Sequence, residues 1–340
     1  MSTAASSSSI KQTVIVEFDE HHHVTPHLVV QGEDGALVLV DSHDDMGCGP
    51  LDVGTWLLPA AARGCFGTVL WVSAWCTNLP DADFRVSVCS AGDGTTAISY
   101  APNSPPPPAW AALWGEACMP RTLMAPALRR ELRPLRIIKT NAAGGVRLLE
   151  TWNSGARGSP ISQQMTIDLD YFSVRNPGVR SIPFGDLPGF RRELIALARR
   201  VPMERGAAFI EALEALVAGS DGPHEALPAV AAAAGIAPVS TDGERLLHLL
   251  ATAEEKFQLL PGLRDLDSAL QALLLVGLAE HEATTEELNI LEAGVTALAA
   301  AARWISPTTI ARSELYTPRR QLEDIRARAR RALTFAREVK

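Results

Sequence analysis

The chain has 340 residues, 47% of them apolar, with a formal charge of -8 and a pI near 5.5. That supplies a full core for one large α/β domain or two modest ones, and the acidic balance argues against a nucleic-acid partner, which calls for a basic face. The five cysteines (Cys48, Cys65, Cys76, Cys89, Cys118) form no C-x-x-C pair, which argues against a structural zinc site or a redox motif. With no secretory signal, the odd count fits a reducing cytosol, and a cytoplasmic location is expected.

Residues 1–12, with Ser6 to Ser9 in a row and no apolar run, read as a disordered tail ahead of a single domain spanning 13–340. Residues 13–18 form a β-rich run that leads into His21-His22-His23, and Thr25-Pro26 can open a helix. A turn at Gly32–Gly35 precedes a strand at 36–40; Thr68–Val72 is a second buried-strand candidate and Arg85–Cys89 a weaker one. Pro105–Pro108 reads as a polyproline surface loop, and 135–139 with 146–149 as a hairpin across Asn141–Gly145. The strand at 165–169 carries an acidic pair. From about 185 the pattern turns helical, with amphipathic spacing at 188–218, 243–260, 263–281 and 285–303, and the apolar runs 230–234 and 272–278 read as buried helix segments. A strand at 308–311 and a basic helix from Thr317-Pro318 onward close the chain. No fixed-period repeat occurs, and no apolar stretch is long enough to span a bilayer, so no membrane partner is expected. The layout predicts an α/β fold: a mostly parallel sheet whose last strand is set apart by the helix-rich segment 185–303.

The chemistry concentrates at two strand ends. Asp41-Ser42-His43-Asp44-Asp45 follows the strand at 36–40, and Asp168-Leu169-Asp170 follows Met165-Thr166-Ile167. In an extended chain Asp41, His43 and Asp45 share a face while Ser42 and Asp44 point away, and Asp168 and Asp170 bear the same relation. Carboxylates with imidazoles at the ends of parallel strands suit divalent ions such as manganese, and shared carboxylates can bridge two of them. One residue of the 21–23 triplet is well placed as a further ligand. His27 reads as hydrogen-bonded or exposed, and His224, His248 and His281 as surface residues. Cys48 has no base partner and reads as structural or as lining the site.

The D-x-H-x-D of Asp41, His43 and Asp45, the D-x-D of Asp168 and Asp170 and an upstream histidine resemble the ureohydrolases, the arginase and agmatinase superfamily. Glu20-His21-His22 before Pro26, Val40–His43, Ile167–Phe172, and Thr309–Ser313 with Tyr316-Thr317-Pro318 are similar to a divergent branch that includes the peptide arginases of ribosomal peptide maturation. The match runs in patches over 13–172 and 307–335 and leaves 185–303 uncovered.

The resemblance implies a three-layer α/β/α fold with two manganese ions, or other divalent transition metals, at the carboxyl edge of the sheet. It implies that Asp41 and Asp168 bridge the ions, that Asp45 and His22 (His21 as alternate) complete one site, and that His43 and Asp170 complete the other. It further implies hydrolysis of a guanidinium group to urea and an amine, with Asp45 and Glu314 as catalytic residues, Glu314 facing the guanidinium. Two departures stand out. No histidine lies between His43 and His224 to shuttle protons, and Met46-Gly47-Cys48-Gly49-Pro50 offers few groups to grip a free amino acid. The second favours an arginine-containing precursor peptide, converted to an ornithine peptide. A small-molecule ureohydrolase or a deacetylase of related fold is the alternative, although deacetylases use one zinc and fewer carboxylates. A non-catalytic peptide-binding protein that keeps the fold is the reading from another class. The segment 185–303 is open to three roles: leader-peptide binding, a homo-oligomer contact, or a packing layer.

Overall fold

A computed structural model describes residues 15–338 except 50, 53, 75–78, 92–93, 157, 161, 175–196, 198–199, 202–204, 206–207, 210, 213–222, 258–280 and 303–307. The expected tail at 1–12, the run 272–278 and most of the helices expected at 188–218 and 263–281 lie outside the described residues, as does Cys76.

Nine strands form one sheet: β1 (Ile15–Phe18), β2 (Gly35–Val40), β3 (Thr68–Val72), β4 (Ala82–Ser90), β5 (Thr96–Tyr100), β6 (Cys118–Pro120), β7 (Arg133–Thr140), β8 (Ser162–Asp168) and β9 (Thr308–Ala311), in the spatial order β1-β9-β8-β2-β3-β7-β4-β5-β6. The run from β1 to β7 is parallel throughout; β4 is antiparallel to both β7 and β5. Every residue of β2 is buried, because a central parallel strand is covered on both faces and its side chains divide between two cores. Ala36, Val38 and Val40 join Leu70, Val72, Met165, Ile167 and Ile310 on one face. Leu37 and Leu39 join Val69, Trp71, Leu135 and Ile137 on the other.

The first face is covered by α4 (Ala142–Asn153), α7 (Thr285–Ala301) and α8 (Leu322–Glu338) through Leu149, Trp152, Leu288, Val295, Leu298, Ile325 and Leu333. The second is covered by α1 (Leu57–Ala62) and α2 (Pro108–Trp114) through Leu57, Leu58, Trp110 and Trp114. The chain is therefore an α/β protein with a three-layer α/β/α arrangement. Between them in sequence come α3 (Pro126–Glu131), α5 (Pro223–Ala234) and α6 (Thr241–Phe257), the last two packed on each other. The helix expected at 285–303 is thus a packing layer on the sheet, opened by a capping box between Thr284 and Glu287. The basic character of α8 is matched within the fold: Arg326 and Arg330 pair with Glu17 on β1, and Arg328 and Arg331 with Glu292 on α7. Among the described residues, no helix is long and apolar enough to cross a membrane.

Several expectations need correction. The hairpin across 141–145 does not form: Asn141 caps α4 by accepting the Gly144 N–H, and β7 pairs instead with β3 and β4. Gly144-Gly145 looks like a turn in sequence, yet here it lets α4 lie close to its neighbours, since a methyl on Gly145 would sit 2.8 Å from Leu298 Cδ2 and 3.0 Å from Val72 Cγ2. Thr25-Pro26 does not open a helix but falls inside a 3-10 helix over His21–His27. The polyproline segment runs into α2 with Pro108 at its first turn, and β5 and β6 were not foreseen.

Gly67 leads into β3, and a methyl there would lie 2.3 Å from the Glu33 carbonyl oxygen and 2.6 Å from its Cα. Backbone cannot yield as a side chain can, so Gly67→Ala is expected to cost about 1–3 kcal/mol and lower the melting temperature by several degrees in a thermal scan.

Candidate metal centre

Neighbouring parallel strands end at one edge of a sheet, and here β1, β9, β8 and β2 deliver His21, Ser313, Asp168 and Asp41 to the same edge. The β2–β3 ladder runs one residue past β2, with the Asp41 N–H on the Val72 carbonyl at 3.1 Å. Both acidic motifs then make the same local hydrogen bond. Asp41 Oδ1 accepts the N–H of His43 at 2.8 Å, and Asp168 Oδ1 accepts the N–H of Asp170 at 3.0 Å. Each aspartate so closes an Asx turn that presents the second motif residue beside its own carboxylate. Ser42 fastens the two motifs together: its N–H donates to Asp170 Oδ1 at 3.1 Å and its hydroxyl to the Asp170 carbonyl at 3.0 Å.

Segment 41–46 is irregular, not the extended strand that the D-x-H-x-D spacing suggests. Asp45 reaches the site because its backbone turns into the left-handed region, φ 52°. Indole donors hold that bend: Trp56 on the Asp45 carboxylate, Trp71 on the Asp41 carbonyl at 3.0 Å and Trp114 on the Met46 carbonyl at 3.1 Å. Ser42 and Asp44 are buried too, Asp44 accepting the Met46 N–H at 2.8 Å.

Two groups of ligand atoms result, His21 with Asp41 and Asp168, and Asp41 with His43 and Asp170, each group within 4.8 Å. His21 Nδ1 is 2.8 Å from Asp41 Oδ2, 3.1 Å from Asp45 Oδ2 and 3.2 Å from Asp168 Oδ2; His43 Nδ1 is 2.6 Å from Asp170 Oδ2. Yet His21 Nδ1, Asp41 Oδ2 and Asp170 Oδ2 are buried without a well-formed hydrogen bond. Orphaned buried donor and acceptor atoms that converge without bonding one another fit a cation between them. Thr166 Oγ1, 2.8 Å from His21 Nε2, orients the ring so that Nδ1 faces the carboxylates, as outer partners of metal-binding histidines do.

The electrostatics fit the same reading. Burial and then the neighbouring carboxylates of Asp170, Asp45 and Asp168 push Asp41 well above the usual carboxylate range; Asp168 is raised by burial and by Asp170. Burial alone would strip His21 of its proton, but Asp168, Asp41 and Asp45 reverse this and hold it well above the ordinary imidazole range. His43 is likewise opposed by burial and carried up to about 9, chiefly by Asp170, whose own carboxyl, raised by burial, is brought below its ordinary value by His43 together with Asp41 and the Ser42 N–H. With neutral imidazoles the four carboxylates carry a charge that two divalent cations would cancel. The described residues thus provide buried His/Asp clusters able to hold metal.

Of the remaining expected site residues, His22 is only partly buried and its ring lies tilted against that of the exposed His23, 4.2 Å between centroids, so His21 is the triplet member brought into the cluster. Glu314 belongs to neither ligand group and is 45% exposed, with Oε1 2.6 Å from Arg312 Nη2. Burial pushes the Cys48 thiol up to about 12, and the side chain packs against the second core as a neutral group. His27 and His248 are exposed, and His281 pairs with Glu287; the side chain of His224 lies outside the described residues. Sequence reasoning missed Ser313, whose hydroxyl donates to Asp168 Oδ2 from a left-handed backbone, φ 41°, and Tyr316, whose ring meets His43 edge-on at 5.1 Å. A serine carries no sign of a positive φ, so only its adjacency to the last strand pointed there. A cavity of about 650 Å³ opens at the ends of β3 and β7, between α4 and α7, lined by Ser73, Asn141, Tyr171 and Leu291.

Removing the carboxylate shared by both groups, Asp41→Ala, is expected to lower manganese affinity at least about a hundredfold by calorimetry, against about a tenfold loss for Thr166→Val, which leaves every ligand in place. Because ligation needs a neutral imidazole and His43 holds its proton up to about 9 without a cation, manganese binding should tighten as pH rises toward 9 and should release protons, read as a buffer-dependent heat. Without metal the sign for stability is opposite. A histidine raised in the folded state stabilises fully below about 6.5 and loses that contribution as pH rises through its folded value.

No family model matches the chain, and a comparison with curated proteins found no match.

Proposed function

We propose that this protein is a binuclear metallohydrolase of the ureohydrolase type that converts peptidyl arginine to ornithine and urea, acting on an arginine-containing precursor peptide. The observation that carries the reading is the pair of buried ligand groups sharing Asp41 at the carboxyl edge of a parallel sheet. His21, Asp41, Asp45 and Asp168 would hold one ion, and Asp41, Asp168, His43 and Asp170 the other, manganese by the resemblance. When bound, such a pair supplies a water acidified to hydroxide near neutral pH and neutralises charge on the substrate.

The chain's own residues do the rest. Asp168 is fixed at both oxygens, by the Asp170 N–H and the Ser313 hydroxyl, so a bridging carboxylate would keep its orientation. The indole bonds of Trp56, Trp71 and Trp114 hold the Asp41–Met46 segment in place. Hydrolysis adds the water's hydroxyl to the guanidinium carbon and its proton to the departing side-chain nitrogen, leaving the ornithine amine and urea. Glu314 would receive the substrate guanidinium by giving up Arg312, an exchange of like for like. Past Asp45, the fully buried Met46 and the neutral thiol of Cys48 offer no grip for a free α-amino or α-carboxylate group, which supports a substrate already in peptide linkage.

Incubation of the manganese-loaded protein with an arginine-containing peptide is expected to lower the peptide mass by about 42 Da per converted residue, the arginine-to-ornithine difference, and Asp41→Ala should abolish the change. Conversion of free arginine with the peptide untouched would overturn the peptide assignment, and a protein that takes up no metal would overturn the hydrolase reading.

A further inference from the structure

The cavity at the ends of β3 and β7 shares no residue with either ligand group of the metal centre. One of its walls is the start of α4. There Asn141 Oδ1 accepts the Gly144 N–H and the Asn141 carbonyl accepts the Gly145 N–H, both at 2.9 Å. The N–H groups of Ala142 and Ala143, the first two of the helix, keep no partner among the described residues, and the amide nitrogen of Asn141 is a further donor left over. In the same wall stands Tyr171, only 1% exposed, whose hydroxyl makes no hydrogen bond among the described residues. A buried hydroxyl without a partner is uncommon in a folded protein and calls for one.

Gly294 on α7 sets these donors side by side. A methyl on Gly294 would lie 3.0 Å from Ala142 Cβ and 4.0 Å from the Tyr171 hydroxyl oxygen, so the first turn of α4 and the hydroxyl meet at one point of the cavity wall. Glycine inside a helix weakens it relative to alanine. Here it lets the start of α4 come close to α7 and leaves the hydroxyl uncovered. The remainder of the wall is apolar, with Val146 from α4 and Leu291 and Ala297 from α7, and Ile290, 63% exposed, carries the apolar surface out to the rim. Among the described residues, no charged side chain lines the cavity.

We propose that this cavity is a binding site for a small aliphatic carboxylate, its head received by the Tyr171 hydroxyl and the amino terminus of α4, its chain lying along Val146, Leu291 and Ala297. Every polar group left over at the closed end can donate, and the unpaired N–H groups of a helix start carry partial positive charge, so an anion is matched there and a cation is not. A volume of about 650 Å³ is in the range of small-ligand sites, which join a mostly apolar lining to a few placed polar groups. The site stands apart from the metal ligands, so it does not depend on the hydrolase reading.

Calorimetric titration of the full chain with octanoate and with octylamine, each in the presence and absence of manganese, tests the assignment. Two variants go with it. Tyr171→Phe keeps the ring and deletes the donor, and Ala297→Phe places a ring into the cavity from an exposed helix position, where folding tolerates it. Wild type is expected to bind octanoate with Kd on the order of 0.1–1 mM, with or without manganese, and octylamine at least about tenfold more weakly. Tyr171→Phe should weaken octanoate binding about tenfold or more at an unchanged melting temperature, and Ala297→Phe should abolish it. Absence of saturable octanoate binding to wild type would overturn the proposal. So would octylamine binding as well as octanoate, which leaves an apolar groove without an anion site. Binding that requires manganese, or that both variants retain, would overturn it too, by placing the carboxylate at the metal centre or elsewhere.

Discussion

Buried negative charge at the carboxyl edge of the sheet is the constraint around which the structure is arranged. Asp41, Asp45, Asp168 and Asp170 are all nearly inaccessible, and His21 and His43 face them. Carboxylates in such a place are costly unless protons or cations balance them. The raised pKa values of Asp41, Asp168, His21 and His43 are one fact seen from four sides: the cluster lacks positive charge, and without metal it recruits protons instead.

The surrounding framework is built to tolerate this. Ser42 ties one acidic motif to the other, the Asx turns use one carboxylate oxygen of Asp41 and of Asp168 for the backbone, and three indoles pin the Asp41–Met46 segment. Among the described residues, Asp45 and Ser313 are the non-glycine positions with positive φ, and both place a polar group on the cluster. Local backbone strain is thus confined to the points where a side chain must be turned inward, and it is held by hydrogen bonds that cross between β2, β8 and β9.

Much of this was legible in the sequence. The strands that carry the site are short, apolar and β-branched, so β2, β3, β8 and β9 could be placed to within a few residues, and the two acidic motifs at their ends could be paired. The rest was hidden for physical reasons. The spacing of Asp41, His43 and Asp45 suggests extended backbone, whereas convergence comes from a bend at Asp45 that no residue type announces. His21 and His22 differ in sequence only by one step, and the difference between a ligand and a surface ring arises from the 3-10 helix that turns one inward toward Thr166. Asn141–Gly145 has the composition of a turn, but tertiary packing against α7 and the Asn141 cap make it the start of a helix. Glu314, chosen by its place after the last strand, pairs with Arg312.

The chain order of the site has a consequence for how the molecule forms. The hydroxyl of Ser313 meets Asp168 across 145 residues of sequence, and His21 meets Thr166 across the same separation. β1 is bound to the sheet through β9, so the first strand docks only after nearly the whole chain has been made. Contacts of such long sequence separation close late and slowly. The aspartates of β2 and β8 can meet without the carboxyl-terminal segment, but the imidazole of His21 and the clasp of Ser313 cannot join them until β9 is in place. The group of His21, Asp41 and Asp168 is therefore complete only once β9 is in place, whereas that of Asp41, His43 and Asp170 draws on no residue of β1 or β9.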